Sequence, residues 1–202
     1  MWRCVLQILY PFSISIEQYV GSIRDPEQAD RCRPGKCPQC ASVPMTSHGF
    51  YSRTVTDVDW SGEIQVRRYW CGSCRRTISL LPDFVLPYWR FTILVMRLFL
   101  MARLVKLETL RSAGETAKQA AMPYQRGQQW VRRFQRQVES IATALSALVR
   151  PIEAVDFVSR AIGMLDQAGW IGSHRFVFEQ LRMHLMGWPE FLAPAGKPAR
   201  SG

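Results

Sequence analysis

Cys37-Pro-Gln-Cys40 and Cys71-Gly-Ser-Cys74, with 30 residues between them, decide how this chain is read. Each pair sets two sulfurs at one tight turn, close enough to take two corners of a tetrahedron. Two such turns meeting face to face supply the four thiolates that structural zinc takes. One Cys-x-x-Cys would say little. Two of them, with a hairpin-length insert, read as a zinc ribbon with Cys37, Cys40, Cys71 and Cys74 holding one structural ion.

The insert supports this. Residues 47–58 and 63–70 are rich in β-formers, and Asp59-Trp60-Ser61-Gly62 between them reads as a hairpin turn. The second strand, with Ile64, Val66 and Arg68 alternating, delivers Cys71 directly. With so small a core, the metal must supply much of the ribbon's stability.

Six cysteines in 202 residues could instead form three disulfides in a secreted protein. The first twenty residues argue against secretion: one basic residue precedes the apolar run, Pro11 interrupts it, and no small-residue cleavage site follows. A thioredoxin-like redox site needs a strand–CxxC–helix context that neither pair has. Cys4 and Cys32 are left over; Cys32 is either an alternate ligand or a plain thiol.

The formal net charge is +10, a balance that favours a polyanionic partner. Its position matters more than its total. Residues 88–136 hold ten bases and two acids, so this segment alone carries +8. From Pro151 onward five bases meet five acids. The most apolar stretch, residues 91–107, contains Arg97, Arg103 and Lys106, which excludes an ordinary membrane span. The expected location is the cytoplasm, on the nucleoid.

Around the ribbon, residues 5–16 read as a strand segment interrupted by Pro11, residues 16–23 as a short helix, and 24–36 as a loop. Arg75 to Ser79 continues as a short strand. Pro82 and Pro87 then stiffen a linker packed by Leu81, Phe84 and Leu86. One helix is predicted from Thr92 to Leu107, a second from Ser112 or Gly114 through Ala117, Ala120 and Ala121. Pro123 suits a cap or first-turn position of a third, from Tyr124 to Val138 or beyond, with 140–148 continuing it. Residues 151–167 and 173–186 read as two further amphipathic helices, with Gly169 and Gly172 bracketing the break between them.

A short helix, a turn and a long basic helix form the helix-turn-helix pattern, whose second helix is packed on one side and polar on the other. Trp130, Val131 and Phe134 make the packed side here. Glutamine reads adenine and arginine reads guanine, each through two hydrogen bonds. Gln125, Arg126 and Gln129, early in the helix, are the candidates for base readout. Lys118, Arg132, Arg133 and Arg136 are placed for phosphates, which position without specifying sequence. The competing view is a solvated basic face on an ordinary helical bundle.

Beyond the cysteine pairs, His48-Gly-Phe-Tyr51, Arg68-Tyr-Trp-Cys-Gly-Ser-Cys-Arg-Arg-Thr77, Ser79-Leu-Leu-Pro82, Leu86-Pro-Tyr88, Glu115-Thr-Ala-Lys-Gln-Ala-Ala121 and Trp130-Val-Arg-Arg-Phe134 stand out. Together, over residues 37–134, they resemble a bacterial zinc-ribbon plus helix-turn-helix module related to insertion-sequence transposases. The resemblance implies a zinc ribbon, nucleic-acid binding and mobile-element ancestry. Two positions depart from it. Ala121 stands where such motifs carry the turn glycine, and Gly127 where they carry a β-branched core residue. The second departure predicts either a recognition helix that DNA must order or a motif in decay.

A transposase of the usual kind needs a ribonuclease-H-like domain with three carboxylates and two metals. The residues after Phe134 read as helices without the strand run such a domain needs. Asp156, Asp166 and Glu179 read as exposed helix faces, His174 and His184 lack metal-ligand spacing, and His48 reads as a packing or hydrogen-bonding residue.

The sequence therefore predicts an α+β chain: a small zinc ribbon, that is, a β-hairpin with two Cys knuckles, followed by an all-α helix-turn-helix domain and C-terminal helices. The expected divisions are an N-terminal extension (1–36), the ribbon (37–80), a proline-containing linker (81–91), the helix-turn-helix (92–138), C-terminal helices (139–188) and a flexible tail (189–202). The expected function is that of a non-catalytic, zinc-containing protein that binds double-stranded DNA, a transposase-related regulator, accessory protein or truncated transposase. A second copy or a separate transposase chain is a further candidate partner, and no membrane is. The competing function is a protein–protein adaptor built on the ribbon and the C-terminal helices.

Overall fold

The computed structural model describes residues 6–12, 14–25, 27 and 31–187. Cys4 and the tail 189–202 lie outside them. The architecture is α+β: a four-stranded sheet followed by helices.

The strands are β1 (Leu6–Tyr10), β2 (Met45–Thr56), β3 (Ser61–Cys71) and β4 (Arg76–Pro82), in the order β1-β4-β3-β2. β2 and β3 form the expected hairpin, shifted by about two residues from the predicted bounds; Asp57 N–H donates to the Trp60 carbonyl (2.7 Å) across the turn. Between the pairs Ser47–Tyr69 and Phe50–Arg67, His48 and Gly49 oppose Arg68 alone, a β-bulge. Gly49 takes φ +71° there, a conformation open to glycine at little cost.

β1 does not stand apart as an N-terminal extension. It pairs parallel with β4, Leu6 opposite Ile78 through Tyr10 opposite Pro82. Between β1 and β2, helix α1 (Ile16–Ser22) starts with a capping box of Ser15 and Gln18. Its Tyr19 is fully buried and donates its hydroxyl to the Gln65 carbonyl (2.8 Å), and Arg67 donates to the Ile23 carbonyl. Ile64 and Val66 on one face of β3 and Arg67 and Tyr69 on the other are all buried, so the central strand is covered on both sides.

In the linker Leu81, Phe84 and Leu86 are buried, as their sequence predicts. This segment is also tied into the fold. Asp83 N–H donates to the Tyr10 carbonyl (3.1 Å), Ile93 N–H to Phe84 (2.9 Å), and Arg53 reaches from β2 to the Leu86 (2.6 Å) and Trp89 carbonyls.

The helices are α2 (Ile93–Leu100), α3 (Leu110–Thr116), α4 (Tyr124–Gln135), α5 (Val138–Leu145), α6 (Phe157–Ala168) and α7 (Trp170–Leu181). The single helix expected over 92–107 divides. α2, capped by the Thr92 hydroxyl, passes into a π-helical turn over Met101–Val105, where Lys106 N–H bonds the Met101 carbonyl. α3 begins earlier than expected, because the Thr109 hydroxyl caps it, and it ends at Thr116. Ala120 and Ala121 therefore belong to the turn. Lys118, at φ +57°, is the left-handed residue of that turn, so no glycine is needed at Ala121.

The helix beginning at Tyr124, with Pro123 at its N-cap, stops at Gln135, and α5 is a separate helix. α6 begins at Phe157 because the Asp156 carboxylate caps it through Ser159 N–H (2.8 Å). Gly169 alone, at φ +82°, separates α6 from α7; Gly172 lies inside α7, which ends at Leu181 rather than 186.

One apolar cluster fills the helical part and another the sheet part, and Phe178 of α7 packs into the sheet cluster. Arg175 of α7 also pairs with Asp83 of the linker at 3.1 Å. Among the described residues no helix is long and apolar enough to cross a membrane.

Candidate metal centre and basic helix face

The first knuckle closes through Cys37 N–H to the Ser42 carbonyl (3.0 Å) and Ala41 N–H to the Cys37 carbonyl (2.8 Å). The second sits between the end of β3 and the start of β4, so sheet pairing carries it to the first. The two turns share a feature: the residue after the second cysteine is left-handed in each, Ala41 at φ +57° and Arg75 at φ +53°.

Cys37 and Cys74 Sγ lie 3.7 Å apart and Cys40 and Cys71 Sγ 3.6 Å, with all four sulfurs within 4.8 Å of one another. Tetrahedral zinc with Zn–S bonds of about 2.3 Å requires S···S separations of about 3.8 Å. Four soft donors at that spacing fit a closed zinc site, compatible with one structural ion. Cys32 is not part of the group. It is buried in the sheet core, and burial pushes its thiol above the ordinary value.

Ser42 is a component that sequence spacing missed. Its Oγ lies 2.9 Å from Cys40 Sγ and 3.1 Å from Cys71 Sγ, so its one proton serves either sulfur. The Cys74 backbone N–H and then the Ser42 hydroxyl bring the Cys71 thiol down to about 6, and Ser42 lowers Cys40 as well. Burial, and then sharing with the neighbouring thiols, pushes Cys74 up to about 12. Metal binding releases the protons that the four-thiol cluster still holds. Zinc with four thiolates carries a net −2, and Lys36, Arg75 and Arg76 lie next to the cysteines in sequence.

On α4 the apolar side is Gly127, Trp130 and Phe134, all buried. Trp130 meets Phe91 and Phe99 edge-on, with ring centroids 5.0 and 5.3 Å away. Gln125, Gln129, Arg132 and Arg136, at i, i+4, i+7 and i+11, are exposed and form one stripe. Arg126 and Lys118 are exposed as well. Arg133 differs. It is half-buried, its guanidinium 5.3 Å over the Trp89 ring. The Arg126 guanidinium likewise lies 5.7 Å over Phe91. These linker aromatics hold two of the predicted contact residues, a role their sequence did not announce.

Two of the remaining carboxylates have structural uses. Asp156 caps α6, and Asp166 pairs with Arg97 at 2.6 Å. Glu179 lies on the exposed face of α7, where partial desolvation raises its carboxyl. His48 lies near Trp70, ring centroids 5.6 Å apart, in keeping with a packing residue. His174 and His184 do meet, although their spacing gave no sign of it: both are buried, with ring centroids 5.7 Å apart.

Residues 37–119 match the model of a family described as a domain of unknown function, DUF6431. The match takes in both cysteine pairs, the linker, α2 and α3, and stops before α4. No curated protein and no solved structure matches the chain.

Proposed function

We propose that this chain is a non-catalytic, zinc-containing protein that binds double-stranded DNA through α4. The observation that carries the reading is the two-sidedness of that helix. Its apolar side is fixed in the helical core, while Gln125, Gln129, Arg132 and Arg136 face solvent in one stripe. Such a helix has the chemistry for a major groove: amide and guanidinium groups for base edges, arginines for phosphates. α3 and α4 serve as the helix pair. Their connection, Ala117–Pro123, is longer than the roughly three to four residues of the common motif. Zinc at the four cysteines fixes the β2–β3–β4 platform and takes no part in chemistry.

The resemblance of the cysteine pairs and helical motif to insertion-sequence modules supports a place as regulator, accessory protein or truncated relative of a transposase. A fluorescent duplex titrated with zinc-loaded protein tests the reading. Binding should weaken steeply with salt, as counterion release requires, and charge reversal at Arg132 and Arg136 should abolish it. Protein that shows no salt-dependent retention of duplex DNA would sink the proposal.

One observation favours an adaptor instead. The partly exposed Leu94 and Ile171 flank an open groove of about 280 Å³ with Ile93 and Trp170, between α2 and the start of α7. Under that reading, reversal at Arg132 and Arg136 leaves function unchanged.

A further inference from the structure

The β2–β3 turn is anchored to the helical part where α2 begins and where α3 turns into α4. Thr56 N–H donates to the Arg90 carbonyl (2.8 Å) and Thr92 N–H to the Thr56 carbonyl (3.0 Å). The Thr92 hydroxyl donates to Asp57 Oδ1, and Gln119 Nε2 to the Asp57 carbonyl (3.2 Å). The turn itself is stiffened by Trp60, whose ring lies so close to Gly62 that a Cβ there would stand 2.8 Å from it. A hairpin tip held in this way keeps a fixed position relative to α4.

Between them lies an open cleft of about 620 Å³, within the size range of sites that hold sizeable ligands. The hairpin contributes Trp60 and Ser61; the far side contributes Arg90, Phe91, Lys118 and Arg126. The three cations come from three separate segments: the linker, the α3–α4 turn and the first turn of α4. All three are exposed. Two carboxylates also line the cleft. That of Asp57 is engaged by the Thr92 hydroxyl, and Asp59 is exposed on the hairpin lip. Arg126 belongs both to the cleft and to the exposed surface of α4, so the cleft opens directly onto the basic helix.

We infer that this cleft seats one sugar–phosphate strand of the duplex bound by α4, with the β2–β3 turn and Arg90 gripping the backbone beside the recognition helix. The inference rests on the DNA-binding reading and extends it to the hairpin. Cations distributed along an open cleft suit a run of phosphates, and such contacts fix the register of the helix in its groove.

The test is the salt dependence of duplex binding for intact, zinc-loaded protein. Arg90→Gln removes one cation but keeps the main-chain carbonyl that Thr56 uses, so folding is spared. Asp59→Lys replaces an exposed acid with a base. The expected log–log slope becomes shallower by about 0.9 for Arg90→Gln and steeper by about 0.9 for Asp59→Lys. Wild-type slopes in both variants, with loss of binding in Arg132→Glu/Arg136→Glu, overturn the cleft and leave α4 as the DNA-binding element. Shifted slopes in both cleft variants with no effect of the α4 reversal show that the cleft holds duplex without α4, and overturn both the reading of α4 and the placement of the strand beside it. A wild-type protein that binds no duplex overturns both.

Discussion

Gly127 and Phe99 stand so close that a Cβ on the glycine would lie 3.1 Å from the Phe99 ring. The glycine that departs from the helix-turn-helix pattern is therefore a packing residue. It lets α4 approach α2, and the fully buried Phe99 ring occupies the space where a side chain would stand. Phe99 cannot retreat easily, because Trp130 packs on it edge-on. Alanine at position 127 would gain up to about 1 kcal/mol of helix propensity. Overpacking a closed core costs about 1–3 kcal/mol. Gly127→Ala is expected to be destabilising, and Gly127→Val more so, both seen as lower urea midpoints. A rise in midpoint for Gly127→Ala would show that the contact has slack.

The sulfur cluster makes a prediction that separates five described cysteines into four and one. Cys74→Ser or Cys37→Ser should lower bound zinc well below one per chain and lower the melting temperature. Cys32→Ser should leave zinc content unchanged, because Cys32 lies outside the cluster. Metal analysis of purified protein, with and without chelator, reads both. Zinc loss in Cys32→Ser alone would contradict the assignment.

Ala41 and Arg75 both hold left-handed backbone after the second cysteine of their knuckle. Left-handed geometry costs a residue with a Cβ about 1–2 kcal/mol, and glycine escapes it. Part of that gain is returned through the freer unfolded chain. Ala41→Gly should stabilise the zinc-loaded protein by roughly 0.5 kcal/mol. Ala41→Val should do the opposite, and equal midpoints for the two variants would refute the strain argument.

His174 and His184 predict an acid limit to stability. His184 Nδ1 accepts from Met186 N–H (3.1 Å), so its Nε2 carries the proton donated to the Pro87 carbonyl (3.1 Å). That arrangement requires the neutral ring. Burial brings its value down to about 4, and burial with His184 alongside drives His174 well below the usual range. An unfolded histidine titrates near 6.5. Each group binds its proton more readily unfolded, so its contribution is complete above about pH 6.5 and is lost as pH falls toward 4 and below. For His184 the loss is on the order of 3 kcal/mol. Denaturant midpoints measured across this range should fall steeply in wild type and less in His174→Phe.

The part of this protein legible in its sequence is the part written by short-range spacing. Two Cys-x-x-Cys turns and the β-rich insert place four sulfurs at the base of a hairpin, and the structure has them within 4.8 Å. The prolines at 82 and 87 mark the linker, and Pro123 with the spacing of Trp130 and Phe134 marks the start and inner face of α4. Each of these signals involves residues a few positions apart, whose turn chemistry or periodicity is fixed before the chain folds. The helix bounds around α3 and α7 were less legible, because threonine caps and left-handed turn residues decided them over apolar periodicity.

Tertiary structure alone decided what depends on segments far apart in the chain. β1 joins β4 in parallel pairing, which no local pattern specifies. Gly127 is read as a defect until Phe99 is seen against it. Ser42 reaches two sulfurs only when the knuckles meet, and His174 finds His184 only because the chain turns back after α7. The same holds for the cleft, where Arg90, Lys118 and Arg126 share one opening across three segments. Residue types and their local order set the sulfur site and the basic helix. Which surfaces lie beside them is set by close packing between distant segments, where side-chain volume and backbone hydrogen bonds must be satisfied together.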